Sequence, residues 1–213
     1  MPKMGSFGSA DVDALIAVHA ALTATHGVAG AIADTAYPPS LLRYRLSGQY
    51  HSAFTAYHTT ITLTTNRLYA IPFITANAKT ITRIALGVFG FGSGASARLG
   101  IYADNGSIYP GSLVSDCGTV SMTSTGIKVL TGLNIALSAN SLYWLVLVCN
   151  VAADIDACHA NSQQPLLGYP TTDLELTGYG SYYVAFTYAA LPSTYPGSAT
   201  PSNAAFPKIA VYF

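Results

Sequence analysis

Ala56–Tyr69 reads AYHTTITLTTNRLY, and Thr80–Phe91 reads TITRIALGVFGF. In the first stretch Ile61 and Leu63 alternate with Thr60, Thr62 and Thr64. In the second, Ile81, Ile84, Leu86, Val88, Phe89 and Phe91 supply the apolar set. A period of two puts successive side chains on opposite faces of an extended strand, whereas an amphipathic helix needs apolar residues three and four apart. β-Branched and aromatic residues dominate, as they do on pleated surfaces. These stretches set the expectation of a mainly β fold.

Working outward, strand-length runs recur at Arg98–Tyr102, Cys117–Met122, Lys128–Leu130, Leu142–Asn150, Tyr182–Tyr188 and Lys208–Phe213. Between them lie turn signals: Gly92 to Gly94, Asp104-Asn105-Gly106, Tyr109-Pro110-Gly111, Thr125-Gly126 and Ala139-Asn140. Short strands separated by such turns, without helices between them, predict an antiparallel β-sandwich or jelly-roll head over residues 50–213. Pro192–Pro207, rich in Pro, Ser, Ala and Gly, reads as a long surface loop before a last strand.

The N-terminal side has a different period. Residues 1–9 are a Gly/Ser-rich lead, and Asp11 to His26 is the one convincing helix, capped by Asp11 or Ser9 and stopped at Gly27. Asp11 and Asp13 place negative charge at its positive end. Val12, His19 and His26 fall seven apart, as do Leu15, Leu22 and Ala29, which are heptad a and d positions. A helix this short is marginal alone in water and needs a partner. Two arrangements satisfy it. One is a trimeric bundle with Val12, Leu15, His19, Leu22 and His26 in its core and the two histidines stacked on the axis. The other is an amphipathic helix lying on its own sheet. Residues 1–30 are thus a helical stem or docking segment, and 31–49, interrupted by Pro38 and Pro39, a linker.

Charged residues make up only 8% of the chain, and nine basic side chains balance nine acidic ones. No basic run offers a phosphate-binding surface, so nucleic acid is not an expected partner. A surface with so little charge has weak colloidal repulsion and suits a large assembly. The N-terminus lacks the apolar core of a secretory signal, and the longest apolar run, Leu142–Val148, is too short to cross a membrane as a helix. The expected location is therefore a particle released without secretion.

Chemistry-bearing patterns are sparse. Gly92-Ser93-Gly94 has neither nucleophile-elbow nor phosphate-loop spacing, and no HExxH occurs. Asp104 belongs to a turn, and Asp116 ends a similar one. Asp154 and Asp156 share an expected loop in which, with backbone carbonyls, they would suit calcium or simply be solvated; Asp173 and Glu175 repeat the pattern. No catalytic residue, metal site or cofactor is expected. Three cysteines, Cys117, Cys149 and Cys158, exclude full intramolecular pairing. Cys149 and Cys158 would bridge only across a hairpin; otherwise all three are buried thiols. Tyrosine is plentiful, at fifteen residues. Tyr179, Tyr182 and Tyr183 on a glycine-containing loop are the ligand-binding candidates, their rings offering an apolar body and a polar tip. The alternative is that they pack the fold and its subunit contacts.

Asp11–Val28, DVDALIAVHAALTATHGV, resembles the short helical segments that recur in phage and prophage fibre proteins. Arg98–Val120, RLGIYADNGSIYPGSLVSDCGTV, followed by SLYWL at Ser141–Leu145, resembles the β-sandwich heads of phage tail-fibre and head-fibre proteins. It is similar to carbohydrate-binding sandwich modules as well. The resemblance implies a homotrimeric, non-enzymatic structural protein of a bacteriophage virion: a fibre, spike or capsid decoration. Its implied partners are copies of itself, other virion proteins and host-surface glycans. The stem is shorter than in long tail fibres, which leaves room for a spike on the capsid. The competing expectation is a free, non-catalytic carbohydrate-binding module.

Overall fold

A computed structural model describes residues 47–53, 58–159, 167–169 and 178–213. The chain divides into two compact units, Met1–Tyr44 and Arg45–Phe213, and the described residues belong to the second. The expected stem, with Val12, Leu15, His19, Leu22 and His26, lies outside them, as do Asp173, Glu175 and the prolines of the linker.

The alternating runs become β1 (Tyr50–Ser52), β2 (His58–Thr62), β3 (Arg67–Thr75), β4 (Lys79–Ile81), β5 (Arg83–Gly90), β6 (Ser96–Asp104), β7 (Pro110–Ser121) and β8 (Gly126–Leu130). They are followed by β9 (Ile135–Leu137), β10 (Ser141–Cys149), β11 (Asp154–Cys158), β12 (Ser181–Ala185), β13 (Thr200–Ser202), β14 (Phe206–Pro207) and β15 (Ala210–Tyr212). The described residues are mainly β, and none is helical. They form three antiparallel sheets.

Sheet I is built around β5. β8 runs along one side of it; on the other side β15 pairs with Arg83–Ala85 and β11 with Val88 and Gly90. β1 and β2 lie outside β15 and β11, and β14 pairs with the end of β11. Sheet II has the order β13-β12-β3-β10-β6-β7, and sheet III is the pair β4-β9.

The two larger sheets share one core. Ile84, Leu86, Val88, Ile155 and Val211 come from sheet I; Ile71, Phe73, Leu99, Ile101, Leu145 and Leu147 come from sheet II. Each such side chain, removed from water, contributes on the order of 1.5–3 kcal/mol. The alternate residues of sheet II, among them Leu68, Ala70, Tyr102, Trp144, Val146 and Val148, form a second buried cluster on its far side. β10 is thus buried on both faces. That is why Leu142–Val148 is continuously apolar, a pattern strands show when covered above and below.

The cover is a strap over residues 186–199. The Leu191 N–H donates to Asp116 Oδ2 at 3.0 Å, the Leu113 N–H to the Ser193 carbonyl at 2.8 Å, and the Tyr195 N–H to the Gly111 carbonyl at 2.9 Å. The Tyr102 hydroxyl donates to the Pro192 carbonyl at 2.7 Å and the Tyr195 hydroxyl to the Leu68 carbonyl at 3.1 Å. Leu191 and Tyr195 are buried. The surface loop expected at Pro192–Pro207 is therefore corrected: its first half closes a core and its second half contains β13 and β14.

Other boundaries differ from the periodicity. Ala56–Tyr69 is not one strand. The left-handed Asn66, at φ 58°, separates β2 in sheet I from β3 in sheet II. β3 then runs through Pro72, opposite Trp144 of β10. β12 pairs with β3 only as far as Ala70, so a proline beyond that point has an unpaired side on which its missing N–H is harmless. Thr80–Phe91 likewise splits at Thr82 between sheets III and I. Tyr109, Pro110 and Gly111 are not a turn of their own: Pro110 opens β7, and the turn is Asn105–Tyr109, closed by the Asn105 N–H donating to the Tyr109 carbonyl at 2.9 Å.

Candidate interaction surface

Because Ile84, Leu86 and Val88 face the shared core, Arg83, Gly87 and Phe89 of β5 face outward. Ile127 of β8 sits directly opposite Gly87, and Val129 opposite Ala85, so these side chains share the outer face. Phe91 follows just beyond the strand, past the register shift between β5 and β11 at Asp154 and Ile155. The result is an apolar group with high exposure: Phe89 52%, Phe91 59%, Ile127 74% and Val129 37%. Single exposed apolar residues are ordinary, but neighbouring ones on one face mark contact surfaces.

Gly87 lowers the floor here. A groove of about 560 Å³ is lined by Gly87, Val88, Phe89, Thr125, Gly126, Ile127, Asp156 and Lys208. A Cβ on Gly87 would come within 3.2 Å of the Asp156 Cβ, so glycine lets the β11 carboxylate lie flat across β5. Asp156 Oδ2 is 3.2 Å from Lys208 Nζ, and the neighbouring Asp154 accepts from the Thr62 hydroxyl at 2.5 Å. The groove therefore has an apolar wall of Phe89 and Ile127 and a polar rim in which the charges are already paired.

The sheet edges are less inviting than this face. Lys128 lies opposite the core residue Leu86 on the outermost strand, and its ammonium donates to Ser124 Oγ at 2.7 Å. A charge on the inward side of an edge strand deters strand addition. On the far edges, β13 carries Pro201 and the β6–β7 register shifts at three points. Prolines and bulges serve the same purpose.

Comparison with protein-family models finds no matching family, and no curated protein matches the sequence.

The tyrosines singled out from the sequence are divided among different surroundings. Tyr182 packs beneath the strap, 5.0 Å from the Tyr109 ring and 5.5 Å from Trp144. Burial, then Tyr109 and Asp104, raises its phenol above the usual value. Tyr183 turns to the opposite face and packs on the shared core, with the Arg67 guanidinium 4.4 Å from its ring centre. Tyr179 is half-buried, and its backbone exchanges hydrogen bonds with Leu167 and Gly168. The rings do not converge on one pocket.

The described acids are bonded within the fold. Asp104 accepts from the Gly106 N–H at 2.8 Å, as its turn position predicts, and also from the Trp144 indole at 3.0 Å. Asp116 lies within β7 rather than at the end of a turn; it accepts from the Gly118 and Leu191 N–H groups and pairs with Arg98 at 3.3 Å. Asp154 and Asp156, expected in a loop, are on β11; the loop reading is corrected. Among the described residues no cluster of His, Cys, Asp and Glu is placed to hold a metal. Cys149 and Cys158 lie on strands of different sheets, so the hairpin that would let them bridge does not form, and all three cysteines are free thiols. Cys149 and Cys158 are buried and Cys117 half-buried. Burial pushes each up to about 11, which suppresses the reactive thiolate.

The exposed group at Phe89, Phe91, Ile127 and Val129 was missed by sequence reasoning. Its signal was present: Phe89 and Phe91 break the strict alternation after Val88, and both rings are exposed.

Proposed function

We propose that the chain is a non-enzymatic structural subunit of a phage virion, a fibre, spike or capsid decoration. Its β-sandwich or jelly-roll head is carried on a helical stem and assembles as a homotrimer. The observation that supports this most is the exposed apolar group of Phe89, Ile127 and Val129 on the outer face of sheet I, in a chain with few charges. Such a group is costly to leave in water and suits burial between subunits. The employment of Asp104, Asp116, Asp154 and Asp156 in structural bonds supports a scaffold rather than a catalyst. The test is the solution mass of the full chain by light scattering, beside two full-length variants. One carries Phe89→Asp with Ile127→Asp; the other carries Leu15→Asp with Leu22→Asp. A trimer dissociated by either pair is expected, and the pair responsible locates the contact. A monomer at every concentration, with no incorporation into particles, would overturn the reading.

A second reading, a free carbohydrate-binding module, draws on the groove, where an aromatic wall adjoins a carboxylate and an ammonium. It requires glycan binding by a monomer that Phe89→Ala weakens. Silence across a broad glycan panel would remove it.

A further inference from the structure

The sequence contains one Asn-Gly step, Asn105-Gly106, and the turn joining β6 to β7 places it between two groups that act on the same reaction. Asn105 and Gly106 are both exposed to water. The Ser107 N–H donates to Asn105 Oδ1 at 2.8 Å. The Gly106 N–H donates to Asp104 Oδ2 at 2.8 Å. Asp104 is itself held, because its other oxygen accepts from the buried Trp144 indole at 3.0 Å. We propose that this turn is a self-modifying site at which the Asn105 amide is converted to a carboxylate through a cyclic imide formed with Gly106.

The chemistry follows from the placement. The Gly106 nitrogen attacks the Asn105 side-chain carbonyl carbon, forming a C–N bond and closing a five-membered ring. The attacking nitrogen loses its proton to Asp104 Oδ2, the acceptor it already faces, which is the position a general base must occupy. Negative charge develops on Asn105 Oδ1, where the Ser107 N–H is already aimed, as in other oxyanion sites built from backbone donors. The bond to the side-chain nitrogen then breaks, and that nitrogen leaves as ammonia with the proton returned to it. Water opens the imide at either carbonyl. One opening gives aspartate; the other gives iso-aspartate, in which the main chain runs through the side-chain carbon. The only co-reactant is water, and nothing is oxidised or reduced. Glycine suits the second position because no side chain shields its nitrogen. The remaining Asn residues, such as Asn66 before Arg67 and Asn150 before Val151, precede bulkier ones.

The experiment is peptide mapping by mass spectrometry on the full chain held at neutral pH, folded in one sample and unfolded in urea in another. Iso-aspartate is measured in both. The folded chain is expected to convert Asn105 faster than the unfolded one by about tenfold, a modest share of what a positioned general base supplies. Asp104→Asn, checked for fold by circular dichroism, is expected to bring the folded rate down to the unfolded one, and Asn105→Gln to abolish the product. A folded chain that keeps its Asn105 amide, or loses it no faster than the unfolded chain does, would overturn the proposal. That comparison uses the natural sequence and stands even if the Asp104 variant fails to fold.

Discussion

Gly100 shows how much one missing side chain decides. It lies on β6 beneath the strap, where a Cβ would meet the Leu191 Cδ1 and come within 2.8 Å of the Ser115 carbonyl oxygen. Gly100→Ala must therefore lift Leu191 or shift β7. A loss of about 1–3 kcal/mol is expected, the usual cost of overpacking, and thermal unfolding measures it; an unchanged midpoint would show that the strap gives way freely. At the same scale, buried acids set an alkaline limit. The Cys149 and Cys158 thiols ordinarily titrate at 9.0 and are raised to about 11. The phenols of Tyr102 and Tyr195 are raised from 10.0, by burial first. Each group is neutral when protonated, and its folded value exceeds its unfolded one. Its contribution is thus complete below the unfolded value and disappears as pH rises towards the folded one. Midpoints should hold steady from neutrality to about pH 9 and fall beyond it; a flat profile into strong alkali would contradict the burial. Neither effect was legible in the sequence. Gly100 read only as part of an apolar strand, because its constraint comes from Leu191, far along the chain.

Among the elements, the strands rich in β-branched and aromatic residues were legible and those poor in them were not. β5, β6 and β10 announce themselves by β-branched and aromatic residues. β11, with the sequence DIDAC, presents two carboxylates and an alanine, and its pairing with β2 and β5 overrides that composition. β3 was obscured by Pro72, a residue that normally argues against a strand and survives here only beyond the reach of β12. The strap was least legible of all. Its Pro, Ser and Gly content is that of a loop, and its partners, Leu68, Tyr102 and Gly111, are distant in sequence. Its attachment is testable at Tyr195, whose hydroxyl donates to a buried carbonyl. Tyr195→Phe keeps the ring and removes that hydrogen bond, so a loss of about 0.5–1.5 kcal/mol is expected in denaturant titration. No loss would mean that packing alone holds the strap.

For the whole molecule, the sequence conveyed the mainly β class and the turn-rich connectivity, but not the strand order or the second core. Order depends on pairings such as Asp154 with Thr62, which local pattern does not encode. The contact face escaped for a related reason: Ile127 and Phe89 come together only when β8 lies beside β5. The low charge was fully legible and carries a prediction. With 8% charged residues and zero net charge, stability should barely respond to salt at low and moderate concentrations, because there is little charge repulsion or pairing to screen. A marked shift of the thermal midpoint between dilute buffer and moderate salt would point to electrostatics that these residues do not suggest.

Trp144 is the one tryptophan in the chain, and it belongs to the cluster under the strap rather than to the core shared by the two larger sheets. Intrinsic fluorescence is therefore a local gauge. Its emission responds when Leu191 and Tyr195 lift away, even while every strand remains paired. Circular dichroism, which follows the backbone, reports the sheets. Two unfolding curves recorded with these probes should separate if the strap detaches first and superimpose if it leaves only with the rest, so the pair of optical signals distinguishes a peeling lid from a cooperative collapse.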